Sequence, residues 1–423
     1  MTDAFHPLRC AIVGGGAAGL MAAAAVLEAA PEAEIFLLER NGGLGKKVII
    51  SGGGRCNVTT GIQDVRTVLT KYPRGSKFLS SAMYAFPPEA VYAWFESHGV
   101  PLKIEPDLRC FPRSDDGKDI VHVFENLFAT SNVRVLLKTD VVGIERGAQG
   151  GFTIRFRGND KTLVVDKVVL TTGGQAYRHT GSTGDGYAFA ISLGHSLTPL
   201  APSLNAFFTR EKWLAEISGL SFTRATITAK RGKGTSFTGP FLFTHRGVSG
   251  PAVFALSSLV AFEPYDVQRP LEIAIDLFPD RTIDALLNDV EKIVATHPSK
   301  TLQTVLAMFV AKSLAEICVR ELSLHGGKRI AEVSKKELRQ ILGWLKAIPL
   351  HVIQRGAGDE FVTAGGVPLT EVNPKTMESK MCPGLFFAGE ILDIDGFTGG
   401  FNLQASWATG RLAGENLVTS SKP

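Results

Sequence analysis

The sequence predicts an α/β chain. A Rossmann-like dinucleotide-binding domain is assembled from both ends, and it is interrupted by a β-barrel-like domain that itself carries a helical insert. Three observations predict this. Cys10-Ala-Ile-Val-Gly14-Gly15-Gly16-Ala17-Ala18-Gly19 is a short apolar strand that runs into G-x-G-x-x-G and then into an alanine-rich helix. From residue 196 the pattern changes to strand-like segments separated by Gly, Pro and charged turns, and residues 282–347 then take helical spacing. After residue 355 buried strands return, each ending in a glycine- or acid-rich turn. The expected domains are 1–195 with 355–423 for the dinucleotide fold, 196–280 with 348–354 for the β-rich domain, and 281–347 for the helical insert.

Length and composition set the bounds. At 423 residues the chain needs two or three cores. A hydrophobic fraction of 44% and a charged fraction of 20% describe a globular protein. The net charge of +4 comes without any lysine or arginine run, so no nucleic-acid partner is expected. Five scattered cysteines with no C-x-x-C pair argue for reduced thiols in a cytoplasm, and against a disulfide framework or a metal site. The apolar run after Arg9 imitates a signal peptide. Its glycines, Glu28 and the second strand behind it assign it to the fold, and it is too interrupted to span a membrane.

The elements follow in order. Gly14 permits the tight turn, Gly16 lets backbone approach a pyrophosphate, and Gly19 lets helix and strand pack closely. The helix N-terminus offers free N–H groups to that pyrophosphate. A second strand, Glu34–Leu38, delivers Glu39, which can accept hydrogen bonds from ribose hydroxyls and would repel a 2′-phosphate. Arg40, Lys46, Lys47 and Arg55 lie among the glycine clusters Gly42–Gly45 and Gly52–Gly54. Such backbone forms anion-binding nests, and Arg and Lys reach phosphates.

With Gly45-Lys46-Lys47 and Ser51-Gly52-Gly53-Gly54-Arg55-Cys56-Asn57 in view, the chain resembles the HI0933-like flavoproteins, a family with BaiN/RdsA and aminoacetone-oxidase-like members. The resemblance runs from Cys10 to Gly414 and implies FAD in a fold of the glutathione-reductase/fumarate-reductase type. It wraps the segment Gly45 to Asn57 along the cofactor, beside Gly14, Gly16, Ala17, Ala18, Gly19, Glu39 and Arg40. No covalent-attachment motif is evident, so the FAD is expected to be non-covalent.

Residues 62–130 read as mostly helical, with prolines opening the helix at Pro87-Pro88. Residues 133–137, 140–145, Gly151–Phe156 and Thr162–Val165 read as a small antiparallel ribbon, and the resemblance adds Val141 to the cofactor residues. Val168–Leu170 is a buried strand that leads into Thr172, Gly173 and Gly174, which the resemblance places beside the adenosine half. Asp185, in Thr-Gly-Asp-Gly, is either a helix N-cap or a cofactor contact. In the β-rich domain, Phe241-Leu-Phe-Thr244-His245-Arg246-Gly-Val-Ser249-Gly-Pro251 interrupts the strands with a loop before an apolar helix. His245 is there either an acid, base or substrate anchor, or a turn residue that orients backbone. Helices are expected over Leu302–Glu321 and Ser334–Lys346, the second opened by the capping box Ser334…Glu337.

Near the C-terminus, Gly389, Glu390, Asp395 and Gly396 form an acid-rich turn that resembles the second FAD motif of the superfamily, where carboxylates accept ribityl hydroxyls. Gly400, Phe401, Asn402 and Leu403 start the last helix, whose positive end the resemblance points at the flavin pyrimidine ring. No second G-x-G-x-x-G follows a strand, so a dedicated NAD(P)H domain is not expected. The expected function is FAD-dependent oxidation or reduction of a small molecule directly at the flavin. An amine oxidase using oxygen stands beside an NAD(P)H-fed reductase of an unsaturated substrate and a non-enzymatic flavin-binding module.

Overall fold

A computed structural model describes residues 7–230, 234–356 and 361–419. The chain divides into two compact units, Met1–Ser203 with Glu360–Pro423, and Leu204–Asp359.

The first unit opens with β1 (Arg9–Val13), α1 (Ala17–Ala29), β2 (Glu34–Leu38) and α2 (Lys46–Ile50). It continues through β3 (Thr59–Thr60), α3 (Val65–Leu69), α4 (Ser80–Ala85), α5 (Pro88–Ser97), β4 (Leu102–Ile104), β5 (Arg109–Pro112) and α6 (Lys118–Ala129). Then come β6 (Val133–Leu136), β7 (Val141–Arg146), β8 (Phe152–Phe156), β9 (Asn159–Val165), β10 (Lys167–Leu170), α7 (Asp185–Ser192) and β11 (Ala201–Ser203). The second unit holds β12 (Phe207–Thr209), β13 (Ser221–Ala229), β14 (Thr235–Thr244), β15 (Gly247–Ser249), α8 (Pro251–Leu259) and β16 (Leu271–Asp276). It ends with α9 (Ile283–Thr296), α10 (Leu302–Leu306), α11 (Lys312–Glu321), α12 (Lys335–Leu345) and β17 (Ile348–Arg355). The chain returns to the first unit with β18 (Val362–Ala364), β19 (Leu385–Phe387) and α13 (Phe401–Thr419).

The first unit is organised on a parallel sheet of order β19-β10-β1-β2-β6. Its strands are near-continuous apolar runs because helices cover the sheet. The alanines of α1 have a second purpose, since α13 lies against them almost backbone to backbone. A Cβ on Gly414 would stand 2.7 Å from Ala25 Cβ, and one on Gly410 would stand 3.1 Å from Ala18 Cα. Larger residues on either helix would push the pair apart.

Residues 133–136 correct the expected ribbon. β6 pairs in parallel with β2 at the edge of the main sheet, and only β7, β8 and β9 form the antiparallel ribbon. A short β-branched run satisfies either pairing, and the helix α6 before it supplies the crossover that parallel pairing needs.

The second unit is a closed antiparallel barrel, β12-β15-β14-β13-β16-β17, with α9 to α12 between its last two strands. The segment around His245 does not interrupt this barrel. It is a hairpin of it, with Phe243 facing Val248 and Thr244 facing Gly247 across a two-residue turn. The expected helix over 302–321 is broken: α10 ends at Leu306, and α11 starts afresh at Lys312 behind Ala311, whose ψ of 142 is not helical. The capping box at Ser334 and Glu337 forms, with the Glu337 N–H donating to Ser334 Oγ at 3.2 Å.

Candidate functional site

The sheet order reverses direction at β1, so the crevice between the C-terminal ends of β1 and β10 is the place where such sheets bind ligands. The three fingerprint glycines answer to different demands there. Gly14 has φ 112, and a Cβ on it would stand 2.6 Å from the Thr171 carbonyl oxygen. A Cβ on Gly19 would overlap the Gly14 carbonyl oxygen. Gly16 has nothing within 4 Å of its Cβ position. Packing therefore requires glycine at 14 and 19, whereas at 16 the space is open, as a bound pyrophosphate needs. The Leu20 amide donates to the Gly16 carbonyl at 2.9 Å, so the amides of Ala17, Ala18 and Gly19 precede the first intrahelical bond.

Glu39 is 9% exposed and is aimed by its own surroundings. Its Oε2 accepts from the Gly15 amide at 2.8 Å, and its Oε1 accepts from the Asn41 amide and side chain, both at 2.7 Å. A carboxylate has about four acceptor positions. The remaining one stays available to a ribose hydroxyl while the turn itself fixes the group.

The basic residues after β2 are braced by acids, or in the case of Lys46 by an asparagine. Arg40 pairs with Asp140 (3.1 Å) and Asp185 (2.8 Å) and donates to Thr183 Oγ1 (2.7 Å). Lys46 donates to Asn41 Oδ1 (3.0 Å), and Lys47 pairs with Glu390 (2.6 Å). Ser51 donates to the Val48 carbonyl at 2.7 Å. Gly45, Gly52, Gly53 and Gly54 all have positive φ, and the Cβ positions of Gly53 and Gly54 are open. Arg55 is committed elsewhere, because it pairs with Glu105 (2.7 Å) and Asp115 (3.2 Å) and lies 3.7 Å over the Phe111 ring. Cys56 is fully buried, and burial pushes its thiol up to about 12. Asn57 accepts from the Cys110 amide at 3.2 Å.

The end of β10 meets the acid turn. Thr363 Oγ1 accepts from the Gln175 amide (2.7 Å), and the Thr363 amide donates to Glu390 (2.8 Å). Gly174 lies close to both, since its Cβ would stand 2.9 Å from Glu390 Oε1. Gly173 turns the chain at φ 73, and Gly389 does so at φ 78. Thr172 Oγ1 and Tyr187 OH are buried with no hydrogen-bond partner among the described residues. Val141 opens β7, buried. Asp185 does not cap its helix. Gly184, at φ 89, holds the N-cap, and Asp185 is the first helical residue with its carboxylate on Arg40.

Asp395 is 1% exposed, ion-paired to Arg74 and bonded by Ser203 Oγ at 2.7 Å. Nearby Asp393 leaves Oδ1 buried without a partner, and burial raises its carboxyl above the usual range. Gly396 and Asn402 bond each other twice, both at 2.8 Å, which locks the loop before α13. The Gly400 carbonyl takes the first bond of that helix, from Gln404, so the Phe401, Asn402 and Leu403 amides form its free positive end. These residues fit a dinucleotide: the orphaned hydroxyl of Thr172 and the open space at Gly16 and Gly53 call for a polar ligand. Sequence reasoning missed Arg74 and Ser203, which carry no motif and are joined to the acid turn only by folding.

In the second unit His245 sits exposed at the tip of the β14–β15 hairpin, with no hydrogen bond among the described residues. Among the described residues no group of three or more His, Cys, Asp or Glu is placed to hold a metal ion, and no helix is long and apolar enough to cross a membrane.

The parallel sheet, its glycine turn and the acid turn define a Rossmann-type dinucleotide-binding fold. A model of the HI0933-like protein Rossmann domain matches residues 8–416. The chain belongs to the HI0933-like family, and with it to the FAD-dependent oxidoreductases. It is 31% identical to the 3-dehydro-bile acid delta(4,6)-reductase of Clostridium scindens over 96% of this chain and 98% of that one. It is 29% identical to the ribosomal RNA dihydrouridine synthase of Escherichia coli over 97% and 98%. Among solved structures, the fold is similar to E. coli quinol fumarate reductase FrdA (15% identity, TM-score 0.50, 99% of this chain and 72% of that one). It is also similar to 3-ketosteroid delta1-dehydrogenase from Sterolibacterium denitrificans (12% identity, TM-score 0.51, 97% and 99%).

Proposed function

We propose that the protein holds FAD non-covalently and uses it to reduce a carbon–carbon double bond conjugated to a carbonyl, with NAD(P)H binding transiently as the hydride source. The observation that carries this reading is the whole-length similarity to a relative named for delta(4,6)-reduction of a 3-dehydro-bile acid. The dihydrouridine synthase name describes the same chemistry, because uracil's double bond is conjugated to its C4 carbonyl. Bound FAD supplies the hydride-transfer chemistry. The chain supplies binding and orientation. The open Gly16 position and the α1 amides hold the pyrophosphate, and Glu39 takes ribose hydroxyls. The Lys47–Glu390 pair and Thr363 keep the loop after β2, the end of β10 and the acid turn in register. Asp393 would offer an acceptor to the ribityl chain, and the positive end of α13 would stabilise negative charge on the ring system. His245 is proposed as a substrate-orienting acid or base.

The test is anaerobic incubation with NADPH and a small cyclic enone, followed by product mass. A product two hydrogens heavier supports the reading. Peroxide formed from a small amine in air, with no enone reduction, would replace it by the amine-oxidase alternative. His245→Ala should keep FAD bound and slow enone reduction by roughly 10²-fold. Unchanged kinetics would leave this hairpin a structural turn.

A further inference from the structure

The resemblance puts Arg55 beside the cofactor, where a guanidinium can reach phosphate, but its surroundings do not suit that task. Its Nη1 donates to Glu105 Oε1 at 2.7 Å and to Asp115 Oδ1 at 3.2 Å, and its Nη2 donates to Glu105 Oε2 at 3.3 Å. Three of the five guanidinium donors are thus spent on carboxylates, and one face of the plane lies 3.7 Å over the Phe111 ring. The bond from Arg55 holds the Glu105 carboxyl below its usual range, so this pair stays charged at neutral pH. Arg109 joins Glu105 at 3.3 Å and Asp107 at 2.7 Å, and Lys103 joins Asp115 at 2.6 Å. The bases and acids of this cluster cancel, and no net positive charge is left to draw a phosphate.

The same stretch of chain shapes the glycine loop from Ser51 to Asn57. Gly52, at φ 58, lies against Phe111, since a Cβ on it would stand 3.1 Å from Phe111 Cε1. The Gly54 carbonyl accepts from the Gly117 amide at 2.9 Å, and Asn57 Oδ1 accepts from the Cys110 amide at 3.2 Å. Residues 105–117 therefore grip the loop at Gly52, Gly54, Arg55 and Asn57, while Gly53 and Gly54 have nothing within 4 Å of their Cβ positions. Successive glycines lose much conformational freedom when they are ordered. A loop ordered in advance binds its ligand more tightly than one ordered by it.

We propose that Glu105 and Phe111 are positioning residues for FAD, acting through Arg55, which clamps the glycine loop and makes no phosphate contact itself. The proposal rests on the reading that FAD lies along this loop. The clamp needs arginine, because a planar fork meets one carboxylate with two N–H groups while lying flat on a ring, and lysine does neither. A phosphate, by contrast, accepts lysine as a point charge.

Fluorescence titration with FAD, thermal melting and amide hydrogen exchange on the apoproteins of wild type, Arg55→Lys, Arg55→Ala and Glu105→Gln test this. Arg55→Lys should weaken FAD as much as Arg55→Ala does, each by about 10-fold or more, the order seen when supporting partners around a bound group are lost. Glu105→Gln should weaken FAD as well. In all three variants the amides of residues 51–57 should exchange faster, with melting temperatures close to wild type. A phosphate ligand behaves in the opposite way: Arg55→Lys keeps most of the affinity, and Glu105→Gln, which frees the guanidinium, tightens FAD. Either result overturns the proposal. So does unchanged exchange at 51–57, or a lowered melting temperature with FAD affinity intact, which would leave the cluster a support of the fold alone. A wild type that takes up no FAD, with exchange still raised in the variants, would sink the cofactor reading and leave the clamp on the loop standing.

Discussion

At the scale of single residues, the glycine fingerprint separates binding from folding. Gly16→Ala adds a methyl into open space at a backbone conformation any residue adopts (φ −85), so the variant should melt like the wild-type apoprotein and lose FAD. Gly19→Ala places its methyl against the Gly14 carbonyl and should lower apoprotein stability by about 1–3 kcal/mol. Fluorescence titration with FAD and thermal melting of both apoproteins check this pair, and equal FAD affinity in Gly16→Ala would move the pyrophosphate elsewhere. Glu39→Ala should weaken FAD by about 1–3 kcal/mol. The thiols make a pH prediction. Cys10, Cys56, Cys110 and Cys318 are each pushed from 9.0 up to about 12 by burial. Below pH 9 they are thiols in both states. From there to about 12 the unfolded chain releases protons that the folded chain keeps. Stability should therefore fall by about 1.4 kcal/mol per thiol per pH unit across that window. Urea unfolding of wild type and Cys56→Ala at rising pH should show the shallower fall in the variant.

At the scale of elements, α1 and α13 depend on the absence of side chains between them. Gly414→Val should cost several kcal/mol of thermal stability, because its Cβ would meet the Ala25 methyl at 2.7 Å. Ser334→Ala should cost about 1 kcal/mol by uncapping α12, measured by urea unfolding. What was legible in the sequence was local. The strand–turn–helix around Gly14, Gly16 and Gly19, the capping box and the proline-started α5 each lie within one stretch of chain. The inserted barrel was legible from composition. What was not legible needed a partner distant in sequence. Arg74 meets Asp395 across 321 residues, and Lys47 meets Glu390 across 343. β6 was misplaced because three apolar residues around Arg134 do not say which neighbour they pair with.

At the scale of the whole molecule, two cores exist, one around the parallel sheet and one around the barrel and its helices. FAD contacts proposed here belong to the first, so FAD at 100 times its dissociation constant should stabilise that unit by about 2.7 kcal/mol. The measurement that tests the account most directly is anaerobic absorbance of the purified protein in the flavin bands. The purified protein should be yellow, NAD(P)H should bleach it, and an excess of a conjugated enone should return the oxidised spectrum. A protein that NAD(P)H leaves oxidised while a small amine bleaches it, or one that stays colourless and takes up no added FAD, would contradict it.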